Sequence, residues 1–361
     1  MFPRRSFLAT VVASSILAIC GAGGCSEQPA SKSAAPSAAN APGKGTGSAT
    51  QPAGAASAAG AADVLRIGVI PKGTIHEFWR SVEAGAKDAG KELGVEILWD
   101  GPRVETAHDE QRRILENMLG RGAKGIVIAP TDRTALRRPV ESAVQGGVPV
   151  VVFDSNLDGD AYVSFVATDN RKGGALAAEA VLKATEGTPR RMLLLRYTEG
   201  SGSTRLREAG FEDAVKAAGG TVVESQFTDG TTEGALTTAT NMLERHVKDG
   251  KLEIDGIFAC NQPTSIGMMR ALDRLAKQGV VAEPKFVGFD ASDELAKGVR
   301  SGALEGLVLQ DPYRMGRLAV TTMVKHLRGE PVERNVDTGV TLVTRDNLGD
   351  AAIRTLLGLK D

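Results

Sequence analysis

The sequence predicts an α/β fold built from two doubly wound parallel-sheet lobes, and three observations carry that expectation. Short runs of branched apolar residues recur, each ending abruptly in an acid or an amide: Val150–Phe153 into Asp154, 257–260 into Asn261, 286–289 into Asp290 and 307–309 into Gln310. Such runs read as strands buried on both faces, as in a parallel sheet. Stretches with a helical apolar period separate them, and the alternation comes in two successive series, each long enough to complete a layered core.

In the first series residues 65–70 predict a strand. Residues 76–93 predict a helix, because Phe78, Val82, Ala86, Ala89 and Leu93 share one face. Predicted strands over 95–99, 125–129 and 148–153 then alternate with helices over about 109–119 and 134–144. The acids Asp109 and Glu110 suit the first turn of a helix. The second series opens after Asp169-Asn170 with a predicted helix over 173–184. Strands over 192–196, 222–226, 256–259 and 285–289 come next, with helices over 204–218, 233–247 and 264–275 between them. A tail helix over 311–328 and a strand over 340–343 must add to one or both halves, so the chain is expected to cross between them more than once. Two halves meeting along the carboxyl edges of their sheets form a cleft, a preferred place for small molecules.

Ligands of open α/β sheets bind beyond the carboxyl ends of the strands, which is where Asp154, Asn261, Asp290 and Gln310 stand. Two carboxylates and two amides form a set suited to a hydroxyl-rich solute, whose groups both donate and accept. Taken singly, Asp290 could cap a helix starting near Asp293, and Asp154 could close a turn before Gly159. Taken together they are costly to bury without partners, so a cleft filled by water or solute is their natural place.

Composition excludes several classes. A formal net charge of −1 implies no polyelectrolyte partner. Beyond residue 25 Cys260 is the single cysteine, which removes an internal disulfide framework and a cysteine-based zinc site. His76, His108, His246 and His326 lie far apart without metal-ligand spacing, so neither a metal nor a cofactor is expected. Gly200-Ser201-Gly202-Ser203 lacks both the phosphate-loop lysine and the dinucleotide fingerprint.

Arg4-Arg5-Ser6-Phe7-Leu8, an apolar stretch through Ile19 and small residues up to Cys25 read as a cleavable export signal over 1–25, resembling the twin-arginine type. Ala22-Gly23-Gly24-Cys25 resembles a lipobox, so lipid attachment at Cys25 and a membrane anchor are expected. Residues 26–63 are almost entirely Ala, Ser, Gly, Pro and a few polar residues, which cannot bury enough apolar surface to offset ordering entropy; they read as a disordered tether. The remainder of the chain, roughly three hundred residues, suffices for two domains. An export signal in place of a DNA-reading helix pair argues against a nucleic-acid partner.

One set of residues resembles a known family. Ile70-Pro71-Lys72, His76-Glu77-Phe78-Trp79, Ala129-Pro130-Thr131-Asp132, Phe153-Asp154, Ala167-Thr168-Asp169-Asn170, Arg205 with Gly210-Phe211, Asn261, Val287-Gly288-Phe289-Asp290 and Gln310, in that order, resemble the periplasmic sugar-binding proteins of ABC transporters, in the ribose-binding branch of the type I fold. The resemblance covers residues from about 64 to 343. It implies a clamp of two lobes joined by three crossovers, with 64–168 and 311–339 in the first lobe and 169–310 and 340–361 in the second. It also implies a monomeric, non-enzymatic, periplasmic or extracytoplasmic protein that closes on a monosaccharide, polyol or sugar acid and delivers it to an ABC permease with its ATPase. The alternative is the same clamp acting as a ligand sensor for a chemoreceptor or membrane kinase.

Carried over residue by residue, the implied solute-binding set is Lys72, His76, Phe78, Trp79, Asp154 and Ser155 from the first lobe, Arg205, Asp229, Asn261 and Asp290 from the second, and Gln310 at a crossover. Arg205 is expected to hold two adjacent sugar oxygens through its planar fork. Of the two rings, Trp79 is expected to do the stacking, since Phe78 continues the apolar helix face. Lys72, His76, Ser155 and Asp229 stand where ribose binders carry a small hydroxyl residue, an asparagine, an arginine and a stacking phenylalanine, so the resemblance implies a pocket other than one for ribose. Lys72 has two uses open to it, matching an anionic group on the solute or pairing with Asp154 or Asp290. A glycoside-cleaving enzyme using Asp154 and Asp290 would need one acid tuned for proton donation, which nothing in the sequence predicts.

Overall fold

A computed structural model describes residues 64–358; the expected export signal, Cys25 and the tether lie outside them. The apolar runs become strands of two six-stranded sheets. The first contains, in spatial order, β2 (Glu96–Trp99), β1 (Arg66–Ile70), β3 (Gly125–Ile128), β4 (Val150–Phe153), β5 (Ser164–Ala167) and β13 (Asn335–Asp337), all parallel. In the second, β7 (Thr221–Gln226), β6 (Arg191–Leu195), β10 (Gly256–Ala259), β11 (Lys285–Phe289) and β12 (Gly306–Leu309) are parallel, and β14 (Thr341–Val343) closes the edge antiparallel to β12.

Each sheet is covered on both faces, which is why its central strands are uninterrupted apolar runs. Helices α1 (Glu77–Leu93) and α9 (Pro312–Leu327) pack on one face of the first sheet, and α2 (His108–Gly120) and α3 (Arg137–Gln145) on the other. On the second sheet α4 (Asn170–Ala184) and α5 (Gly202–Ala217) cover one face. The other is covered by α6 (Thr232–Arg245), α7 (Gln262–Lys277), α8 (Asp293–Ser301) and α10 (Ala351–Leu356). The chain passes between the two layered bodies three times: after β5 at Thr168-Asp169, after β12 at Gln310-Asp311, and between β13 and β14.

Several elements differ from the sequence expectation for local reasons. Helix α3 begins at Arg137, not 134, because Asp132 Oδ1 accepts the Thr134 and Ala135 amides in a separate turn. Pro139 then falls in the first turn, where its missing N–H costs nothing. Helix α4 starts three residues early, at Asn170, since the Asp169 carboxylate caps it by accepting the Lys172 amide at 3.0 Å. Helix α6 stops at Arg245 because β8 (Val247–Lys248) and β9 (Lys251–Leu252) form a hairpin whose turn, Asp249-Gly250, has φ of 49° and 76°. In α1 Val82, Ala86 and Ala89 are buried as expected, but at the start of that face the fully buried ring is Trp79, with Phe78 half-buried beside it.

Helices α4 and α5 meet backbone to backbone. A Cβ on Gly174 would sit 1.9 Å from the Arg207 carbonyl oxygen, and one on Gly210 would sit 2.0 Å from that of Arg171. Glycine at both places lets α5 seat against α4 and fixes where Arg207 stands.

Candidate functional site

Two matching turns create the site. Asp154 directly follows β4 and Asp290 directly follows β11, and both adopt the left-handed region, with φ of 58° and 68°. Aspartate tolerates this conformation better than most residues, but outside glycine it persists only where its surroundings enforce it. Here each aspartate amide donates to the neighbouring strand, Asp154 to the Val166 carbonyl at 3.0 Å and Asp290 to the Val308 carbonyl at 2.9 Å. The same turn at the carboxyl edge of each sheet thus carries one carboxylate from each body into the space between them.

Both carboxylates are buried, and each is matched by its own cation. Lys72 Nζ lies 2.9 Å from Asp154 Oδ2, with both side chains about 4% exposed. Asp290 Oδ1 accepts Gln310 Nε2 at 2.7 Å, and its Oδ2 lies 3.7 Å from Arg207 Nη1. Burial pushes the Asp290 carboxyl above the usual carboxylate range, and Arg207 and Gln310 oppose that shift. Arg207 is itself fixed on three sides. Its Nε donates to Asn170 Oδ1 at 2.8 Å, its Nη1 to the Cys260 carbonyl at 3.0 Å, and its guanidinium carbon lies 3.8 Å from the centre of the Phe289 ring. The outer nitrogen, Nη2, remains as a fixed donor.

These groups line one shared space. Lys72, His76, Phe78, Trp79, Glu105 and Asp154 reach it from the first body. Arg207, Asn261 and Asp290 reach it from the second, with Tyr197, Ser201, Ser203, Thr204, Gln262 and Pro263, and Gln310 enters at a crossover. Among the residues lining it, Gln310 Oε1 and Ser201 Oγ are buried without a hydrogen-bond partner. Each such group costs about 1–3 kcal/mol unless something fills the space and bonds to it. Asn261 spends its oxygen on a capping box, accepting from the Thr264 amide and hydroxyl, which leaves its amide nitrogen as a donor. Tyr197 stays protonated, since burial first and the nearby Glu105 carboxylate second push its phenol well above the ordinary value. Its hydroxyl donates to the Gly230 carbonyl at 3.2 Å.

A space walled by paired charges, amides, hydroxyls and three aromatic rings, and shared between twin α/β bodies, is the arrangement of a solute clamp. A family profile described as "Periplasmic binding protein domain" matches residues 67–331. The chain belongs to the periplasmic binding protein family. The ribose import binding protein of Escherichia coli (strain K12) is 30% identical over 273 residues, covering 74% of this chain and 86% of the relative. A carbohydrate transporter solute binding protein from Agrobacterium radiobacter, solved with D-arabinose, is 37% identical with a TM-score of 0.76, over 82% of this chain and 99% of that one. An ABC transporter solute binding protein from Agrobacterium vitis, solved with D-fucose, is 36% identical with a TM-score of 0.74, over 81% and 99%.

In this periplasmic binding protein the type I fold brings most of the expected residues to the shared space, and it corrects three. Arg205 is exposed on the far side of α5, its guanidinium carbon 5.8 Å from the Phe227 ring centre; the arginine in the space is Arg207. Asp229 is exposed and spends its Oδ1 on the Thr231 amide and hydroxyl, at 2.9 and 2.8 Å, in the turn before α6. Ser155 lies one layer behind, its single hydroxyl proton placed between Asp154 Oδ2 at 3.1 Å and Ser203 Oγ at 2.9 Å.

Both rings line the space, with exposures the reverse of those expected. Trp79 is 2% exposed and wedged edge-on between Phe78 and Phe153, while half-buried Phe78 presents the more open ring. Lys72 takes the second of its two uses, pairing with Asp154. Glu105, Tyr197, Ser203 and Arg207 went unforeseen. For Arg207 a signal existed, since it stands one helical turn before Phe211, which is fully buried.

Proposed function

We propose that this periplasmic binding protein captures an uncharged monosaccharide between its lobes outside the cytoplasm and hands it to an ABC importer. The observation that carries this reading is the pair of buried aspartates facing one space from opposite lobes, each already neutralised by its own cation. With both cations engaged, the wall offers hydroxyl acceptors and donors but no free positive charge for an acid group. Charge-assisted hydrogen bonds to a sugar hydroxyl contribute about 1.5–3 kcal/mol each, so a few suffice for firm binding. In this reading the aspartates serve as binding groups, each held in place by a basic or amide partner.

Within this reading the binding set is Lys72, His76, Phe78, Asp154, Asn261, Asp290 and Gln310, with Arg207 in place of Arg205. The lobes comprise 64–168 with 311–339 and 169–310 with 340–361, and they move about the three crossovers. Monomeric action suits this arrangement, since one chain supplies both walls of the space. Lipid attachment at Cys25, in the segment outside the described residues, would tether the clamp to a membrane; a Cys25→Ser variant is then expected in the soluble fraction, and its retention with the membrane would remove the anchor.

The decisive experiment is a titration with D-arabinose, D-fucose, D-galactose and D-ribose, followed by tryptophan emission and thermal melting. At a hundredfold excess over Kd a true solute stabilises the protein by about 2.7 kcal/mol, which raises Tm by roughly 4 °C for a folded body of this size. A flat response in both readouts across a broad sugar panel would falsify the proposal.

A further inference from the structure

Glu105 belongs to no predicted motif, yet it enters the wall of the shared space from the loop between β2 and α2. Its Oε1 accepts the Trp79 indole N–H at 2.7 Å, and it forms no ion pair among the described residues. The charged groups of the wall are Lys72, Arg207, Asp154, Asp290 and Glu105. Lys72 is matched to Asp154 at 2.9 Å and Arg207 to Asp290 at 3.7 Å, which leaves Glu105 as the carboxylate without a cation. Tyr197 reaches the same space from the opposite lobe, its hydroxyl lying between the Gly230 carbonyl at 3.2 Å and the Glu105 carboxylate, and since a carboxylate has about four lone-pair sites this contact and the Trp79 indole leave Glu105 able to accept more. A half-buried carboxylate with acceptor capacity to spare therefore stands beside the rings of Phe78 and Trp79.

We propose that Glu105 is a further solute-binding residue, whose second oxygen accepts a sugar hydroxyl and whose unmatched charge turns sugar acids away. The proposal rests on the sugar-capture reading above and adds a selectivity to it. A carboxylate acceptor strengthens the bond to a hydroxyl donor, and in a low-dielectric enclosure the same charge repels an anionic solute.

The test compares D-fucose, D-galactose and D-arabinose with D-galacturonate and D-arabinonate on the wild-type protein and on Glu105→Gln. The glutamine keeps an acceptor for the Trp79 indole, so a role confined to holding that ring leaves both affinity and selectivity unchanged. Calorimetry is expected to show the Kd of the best neutral sugar rising about 10- to 100-fold in the variant. The preference for the neutral sugar over the matching acid is expected to fall at least tenfold, with an unchanged unliganded melting temperature. Wild-type-like affinity and selectivity in Glu105→Gln would overturn the role of Glu105 while leaving sugar capture standing. Absence of any sugar binding by the wild type would overturn both.

Discussion

At the residue scale the strand-ending acids and amides were legible because parallel sheets present their carboxyl ends to ligands, and Asp154, Asn261, Asp290 and Gln310 do share one space. The arginine expected there is displaced by two positions. Arg205 and Arg207 lie about 200° apart around α5, and Thr204, Arg207, Phe211 and Val215 trace the buried face. Asp229 departs from expectation for another reason: a short acid before a helix has local backbone partners to serve, and such turns compete with any distant role. The two arginines give a direct comparison. Replacing Arg205 with Ala should leave the sugar Kd within about twofold, in line with small effects at exposed positions. Arg207→Lys keeps the charge opposite Asp290 but loses the fork shared by Asn170 and Cys260, so the Kd should rise tenfold or more. Calorimetry on both variants decides it, and a larger loss in the Arg205 variant would return the solute-binding role to Arg205.

At the scale of elements, most strands announced themselves through apolar content, while β5, whose apolar run is only Phe165-Val166-Ala167, and the elements without such runs stayed hidden. Strand β13 carries Asn335 and Asp337 around one valine and is held by backbone pairing to β5, so no side-chain pattern marks it. At the start of α1 the fully buried ring is Trp79 and not Phe78, because the two are adjacent and apolar periodicity alone does not say which turns inward. What decides it is the core: Trp79 meets Phe153 at the end of β4 and hands its N–H to Glu105, so its polar atom is satisfied while the ring is buried. The α4 and α5 pair adds a constraint that composition hides. Gly174 and Gly210 read as helix-weakening residues in sequence, yet each makes room for the other helix's backbone, and the approach they permit brings Arg207 within reach of Asn170 at the start of α4.

At the scale of the whole molecule, the repeated βα series made two lobes legible, but contacts between lobes depend on how the bodies meet and leave no mark in local sequence. Gly200-Ser201-Gly202-Ser203 shows the difference, since as a sequence it suggests a weak anion loop. In the fold it is where one lobe touches the other. The Gly200 carbonyl accepts the Arg133 amide at 3.1 Å, the Ser203 hydroxyl accepts from Lys72 at 3.2 Å and from Ser155 at 2.9 Å, and the Ser203 amide donates to Ser155 Oγ at 3.1 Å. Lys72, Ser155 and Ser203 are each at most 3% exposed. In the proposed clamp these bonds would break as the lobes part, so they would favour closure whether or not solute is present. Ser203→Ala removes the two made by its hydroxyl, worth together about 2 kcal/mol, and the closed-to-open ratio of the unliganded protein should fall about 30-fold. Because Ser203 also lines the solute space, affinity alone would mix two effects. Small-angle scattering without sugar separates them: the unliganded variant should have a larger radius of gyration than unliganded wild type, and the two should converge at saturating sugar. If the unliganded curves superimpose, the serine bonds do not bias closure, and solute contacts alone must draw the lobes together.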